Sequence, residues 1–183
     1  ELESINLMLK SLEIAGIKNI TLSLGHAAFT SSVLEPFKKL GKEIFVDLEL
    51  AISKKSKSDL DKIIPDSNQN KQSLISLCDM YGGIDIIHSA KESFSYLEST
   101  QNFMDHLEGL AGKLIKNSGI TLHVDLGEVQ GFKYHNGVVF SAYADSAGYV
   151  LAKGGRYDGL RKQSDRDRPA VGFDLDLVSV SNL

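Results

Sequence analysis

The stretch Tyr149–Leu160, YVLAKGGRYDGL, runs from a strand-like apolar series into two glycines, then an arginine, a tyrosine and an aspartate. Paired glycines at a strand end let another group approach the backbone closely. A phosphate, an amino acid or a neighbouring strand could each use that space. The phosphate-loop pattern fails, because GGRYDGL lacks the lysine and Ser/Thr that a nucleotide P-loop carries after its last glycine. Arg156, Tyr157 and Asp158 set a cation, an aromatic hydrogen-bonding group and an anion side by side. That set suits a zwitterionic amino acid, and it also suits a surface turn. Taken alone, Gly154-Gly155 is more often a structural strand end.

The neighbourhood of this stretch reads as sheet. GVVFSAYAD and YVLAKGG flank Ser146-Ala147-Gly148, a hairpin signal. Asn136-Gly137 reads as a second turn or a bulge. Further upstream, ITLHVDLG alternates, with Ile120, Leu122, Val124 and Leu126 on one face. A polar loop, KQSDRDRP, leads into AVGFDLDL.

The first hundred residues are mostly helical in rhythm. Leu2, Ile5, Leu9 and Leu12 recur at helical spacing, and Gly16 suits a C-cap. ITLSLG then alternates as a half-buried strand, with Ile20, Leu22 and Leu24 on one face. From about Phe29 to Ser99 the pattern is one of short helices, interrupted at Pro36 and Pro65. KKSKSD is a solvated helix end or loop, and YGG at 81–83 is a stop. The spacing of Phe94, Leu97, Phe103, Leu107, Leu110 and Leu114 predicts one long amphipathic helix to Lys116, closing on KNSG. The expected class is α+β, an antiparallel-looking sheet with helices segregated from it.

Composition narrows the function classes. The chain has 183 residues, 42% hydrophobic and 24% charged, enough to bury a core. A net charge of −4 gives no general reason to bind nucleic acid or an anionic membrane. The single cysteine, Cys78, sits in an apolar helical pattern and excludes an internal disulfide. No apolar run is long enough to span a membrane and no signal peptide is visible, so a cytoplasmic location is expected. The chain starts without methionine and already in helical rhythm, as part of a longer protein would.

Candidate chemistry is sparse. None of His26, His88, His106, His123 and His135 forms the helical pair of a zinc protease. His123 and Asp125 share one strand face and could handle a proton, although a polar sheet face is the plainer reading. Asp174 and Asp176 could hold magnesium, although a cap on a following helix is the more economical one. No nucleophile–base–orienter set is apparent, and no catalytic residue, metal or cofactor is expected.

Taken together, DLGEVQGFKYHNGVVFSAYA, AKGGRYDGL and RPAVGFDLDL resemble, in order, the core of histidyl-tRNA synthetase up to class II motif 3. ELESINLMLKSLEIAGIKNITLSLGH resembles the helix and strand that follow motif 2 there. The resemblance spans nearly the whole chain and implies one class II synthetase-like core domain over 1–183, incomplete at its N-terminus, an antiparallel sheet with flanking helices and with the helical middle, about 27–98, as that family's insertion. The departures are informative. Where the synthetase reads Arg-Gly-Leu-Asp-Tyr-Tyr, this chain reads Gln130-Gly131-Phe132-Lys133-Tyr134-His135. Where motif 3 ends in an ATP-binding arginine, this chain has Ser179. Activating an amino acid with ATP builds negative charge on the α-phosphate, and losing one placed donor costs about 3–4 kcal/mol. Two such losses should abolish useful adenylation, while Gln130 can still donate to a carboxylate.

Amino-acid recognition without ATP chemistry resembles the regulatory-subunit family of ATP phosphoribosyltransferase, the synthetase-like partner of the short-form catalytic subunit. The resemblance implies a non-catalytic role in the first step of L-histidine biosynthesis, with feedback by histidine. It implies a homodimer within a hetero-oligomer. By position, the histidine pocket would include Gln130, Tyr134, His135, Arg156 and Tyr157, with Gly154 and Gly155 as its backbone floor. Arg156 would either face the ligand or brace the loop. The alternative readings are an active histidyl-tRNA synthetase and an amino-acid-binding paralogue with another partner.

Overall fold

The computed structural model describes residues 1–116, 119–129, 134–144, 148–158 and 168–183. In chain order, α1 (Leu2–Ile14) leads into β1 (Ile20–His26). A helical segment follows: α2 (Ala27–Leu34), a 3₁₀ turn (Glu35–Leu40), α3 (Lys42–Ser53), α4 (Lys57–Ile63) and α5 (Lys71–Leu77). A two-residue strand β2 (Tyr81–Gly82), α6 (Ile86–Ser93) and α7 (Thr100–Leu114) complete it. The chain then returns through β3 (Ile120–Asp125), β4 (Val138–Ala144), β5 (Val150–Arg156), β6 (Val171–Leu175) and α8 (Leu177–Ser181).

The described strands form one sheet in the order β2-β3-β1-β4-β5-β6. All neighbours run antiparallel except β1 and β3, which pair in parallel from Ile20↔Ile120 to Leu24↔Val124. Parallel neighbours need a crossover, and the helical segment supplies it. The sheet is therefore mixed rather than wholly antiparallel. β3 and β4, adjacent in sequence, do not pair, because β1 lies between them.

Register turns the alternation of each strand into rows across the sheet. Leu122, Leu22, Ala142, Ala152 and Leu175 make one row; Val124, Leu24, Phe140, Gly154 and Phe173 make another on the same face. This face is packed, with Leu22, Leu24, Phe140, Ala142 and Ala152 almost wholly buried. His123, Ser23, Ser141, Lys153 and Asp174 form the intervening row on the other face, called here the site face. α1 buries Ile5, Met8, Leu9 and Leu12 at the expected spacing, and Gly16 follows it at φ +86°. Leu48, Ile52, Leu60, Leu74 and Leu77 of the helical segment belong to the same apolar cluster as Leu22 and Phe140. Cys78 is buried there too, as its pattern implies.

Two local expectations change. The long helix to Lys116 starts only at Thr100, because α6 ends at Ser93 and the chain turns through Phe94 and Leu97. Phe94 is held edge-on to Phe29, ring centroids 5.2 Å apart, so its side chain stays in the core while the serine-rich backbone around it turns. Tyr81-Gly82 is a short edge strand on β3 before it is a stop, with Gly82 at φ +149°. Within the expected hairpin, Ser146 and Ala147 lie outside the described residues. No helix of the described residues is long and apolar enough to cross a membrane.

Candidate functional site

β5 positions the segment GGR, and its two glycines serve opposite faces. A Cβ at Gly155 would lie 2.4 Å from Cδ2 of His135 and 2.9 Å from the Val138 carbonyl oxygen. Only a glycine lets the His135 ring rest on the strand there. A Cβ at Gly154 would instead meet the Gly172 carbonyl oxygen at 2.3 Å and Cζ of Phe140 at 2.7 Å, on the packed face. Gly154 therefore closes the sheet core, and Gly155 gives His135 its seat.

Three rings gather above Gly155. The Tyr134 and His135 centroids are 4.1 Å apart, Tyr134 and Tyr157 meet edge-on at 5.8 Å, and His135 and Tyr157 at 6.0 Å. Tyr157 owes its place partly to Gly172, where a Cβ would come within 2.9 Å of the phenolic oxygen. Burial holds the His135 imidazole below the ordinary histidine range, so at neutral pH it is uncharged. A neutral imidazole beside two tyrosines offers ring faces and hydrogen bonds to a ligand, and no full charge.

Arg156 is engaged by two carboxylates. Its Nε donates to Oε1 of Glu1 at 2.5 Å, and its Nη1 donates to both oxygens of Asp158 at 3.2 and 3.3 Å. Its stem lies over Gly137, where a Cβ would sit 2.6 Å from Cδ. Asn136 completes the brace: its backbone N–H donates to the Arg156 carbonyl, its Nδ2 to the Asp158 carbonyl, and its Oδ1 accepts from Asp158 N–H. Asn136-Gly137 thus docks the Arg156 segment and does not form a simple turn. The sequence holds no local signal for the Glu1 contact, which joins residues at opposite ends of the chain.

The remaining candidates separate. Gln130 lies outside the described residues. Ser179 sits in α8, its hydroxyl donating to Asp176 Oδ2 at 2.7 Å and its N–H to Oδ1 at 3.1 Å. Asp176 is the cap of α8, and hydrogen bonds from Ser179 hold its carboxyl below the usual range. His123 Nδ1 lies 3.5 Å from Ser23 Oγ, while Asp125 accepts from Lys55 Nζ at 2.5 Å and from Gly127 N–H, so the two form no proton-handling pair. Among the described residues no group of three or more His, Cys, Asp or Glu could hold a metal.

The sequence reading missed two features. His26 ends β1 on the packed face and caps α2, its Nδ1 accepting from Phe29 N–H, with its ring 4.5 Å from that of Phe103. Burial, then the neighbouring His106, pushes its pKa down to about 4. The second is a cavity of about 350 Å³ that His135 also borders, lined by helices α2 and α3 and by Glu128 and Val129. Its signal was legible as two helical faces, Ala27, Thr30, Ser31 and Leu34, then Lys42, Phe45, Val46 and Glu49.

A mixed sheet with a helical crossover and a glycine-seated ring cluster defines a class II synthetase-like core. The family model for histidyl-tRNA synthetase matches residues 1–180, and the chain belongs to that family. A crystal structure of an ATP phosphoribosyltransferase regulatory subunit/histidyl-tRNA synthetase from Bacillus halodurans C superposes with a TM-score of 0.81. That pair is 23% identical and covers 99% of this chain and 48% of the other. ATP phosphoribosyltransferase regulatory subunits of Polynucleobacter asymbioticus and Ralstonia pickettii are each 33% identical over 100% of this chain, covering 48% and 46% of their own length. The chain thus spans about half the length of the curated relatives it matches.

Proposed function

We propose that the protein is a non-catalytic regulatory subunit of ATP phosphoribosyltransferase, required for the first step of L-histidine biosynthesis and mediating histidine feedback. It works in the cytoplasm, as a homodimer within a hetero-oligomer with the short-form catalytic subunit. Histidine binds over Gly155, its imidazole against Tyr134, His135 and Tyr157, with Gln130 donating to its carboxylate. Arg156 braces the loop, and Gly154 supports it from the packed face. The observation that carries this reading is the state of Arg156. The cation of the GGRYDGL segment is engaged by Glu1 and Asp158, so the segment presents rings and not charge to a ligand. Ser179 at the motif 3 position is likewise committed to the Asp176 cap. The shared name of relatives aligned over the whole chain supports the same reading, as does the fold's likeness to the ATP phosphoribosyl transferase (HisG:HisZ) complex from Thermotoga maritima, TM-score 0.66.

Feedback then requires histidine to bind one state of the complex better than another, typically by about 1–3 kcal/mol. The test uses the whole protein with a short-form catalytic subunit. Phosphoribosyl transfer should depend on the protein and fall with added histidine. Robust histidine-dependent ATP–pyrophosphate exchange by the protein alone would overturn the proposal in favour of a synthetase. No association with the catalytic subunit by a folded protein would leave the paralogue reading.

A further inference from the structure

The cavity beside His135 has an ordered lining. α2 and α3 each present residues at i, i+3, i+4 and i+7, so one continuous face of each helix borders it. Leu34, Phe45 and Val129 supply apolar lining. Its charges are mixed: Lys38 and Lys42 against Glu49 and Glu128. Lys38 is already engaged by Glu35. Among the described residues Lys42 forms no ion pair. A phosphate dianion would meet two carboxylates in this space, whereas a molecule carrying one positive and one negative group meets a partner for each. His135 is shared: its ring belongs to the cluster with Tyr134 and Tyr157 and also to the cavity wall.

We propose that the helical segment supplies the anion-binding half of the amino-acid site, with Lys42 as the counter-charge of the ligand carboxylate. This rests on the reading of the site as a histidine pocket and adds to Gln130 a charged residue that helps distinguish an amino acid from its decarboxylated amine. The ligand spans His135, its ring towards the tyrosines and its carboxylate towards α3. Binding then ties α3 to the sheet, so the ligand is felt by two parts of the molecule at once.

Calorimetry on the whole protein tests this with two ligands, L-histidine and histamine, which lacks the carboxylate. Lys42→Ala should weaken histidine about 3- to 10-fold, the worth of one partly solvated charge contact, and leave histamine unchanged. Lys42→Glu should weaken histidine further, and Lys42→Arg should retain it. Where histamine is too weak to titrate, the contrast between the Arg and Glu variants decides. Equal losses for both ligands, or unchanged histidine affinity in Lys42→Glu, would overturn the assignment of Lys42 alone. Wild-type protein that binds no histidine would overturn both this inference and the pocket reading beneath it.

Discussion

On the packed face of β5, Gly154 is hemmed in by the Gly172 carbonyl and the Phe140 ring; on the site face, Gly155 lies under the His135 ring. Both positions exclude a side chain, and at both a backbone carbonyl takes part, Gly172 at Gly154 and Val138 at Gly155, but the other neighbours differ. The packed neighbours are backbone and core aromatics that nothing can displace cheaply. On the site face one neighbour is a side chain that can swing aside, at the cost of the cluster it belongs to. Identical residues in adjacent positions therefore act on stability in one case and on recognition in the other.

Gly154→Val should break the packed side outright, lowering stability by about 3 kcal/mol through overpacking. Urea denaturation would measure it, and histidine affinity of the remaining folded protein should be near normal. An effect of the same order belongs to His26, also on the packed face. Its folded pKa of about 4 lies below its ordinary 6.5. The unfolded chain thus takes up the proton first as pH falls. The contribution is complete above about 6.5 and is lost on descending towards about 4. That corresponds to about 3 kcal/mol. Denaturation midpoints across this window should drop in the wild type, and His26→Asn, which can still cap α2, should flatten the drop.

The site face should respond in the opposite currency. Gly155→Ala should cost about 2 kcal/mol of stability, since the new Cβ also crowds the Val138 carbonyl, and about tenfold in histidine affinity, because the His135 ring must leave its seat. Equal stability losses at 154 and 155 would erase the distinction between the faces. Smallest is Tyr157→Ala, which removes one edge-on ring and should weaken histidine about fivefold, with little change in melting temperature. Unchanged affinity by calorimetry would take Tyr157 out of the pocket.

Much of this was readable from local pattern. The alternation of Ile20, Leu22 and Leu24 gave the packed face of β1, and the spacing in α1 gave its buried stripe. The Asp176 cap followed from residue type alone. What escaped is non-local. Nothing in residues 120–144 announces that β1 will insert between β3 and β4, and nothing near Arg156 announces Glu1. The long helix failed for a related reason. Phe94 and Leu97 fit the helical period, yet Phe94 is claimed by Phe29, a partner the period cannot see. The ring cluster was legible only through resemblance, since its members are close in space because β4 and β5 pair.

The placement of β1 has a consequence for how the chain folds. The central strand of the sheet must wait for partners that are made much later: Ile20 pairs with Ile120, and Leu22 with Ala142. Closing so long a loop is entropically slow, and topologies rich in such contacts fold slowly. The intervening helices make local contacts and can compact first, shortening the span that the two strands must search. In this view the helical segment is a folding spacer, and loosening its own packing should slow assembly of the sheet more than it weakens the finished sheet.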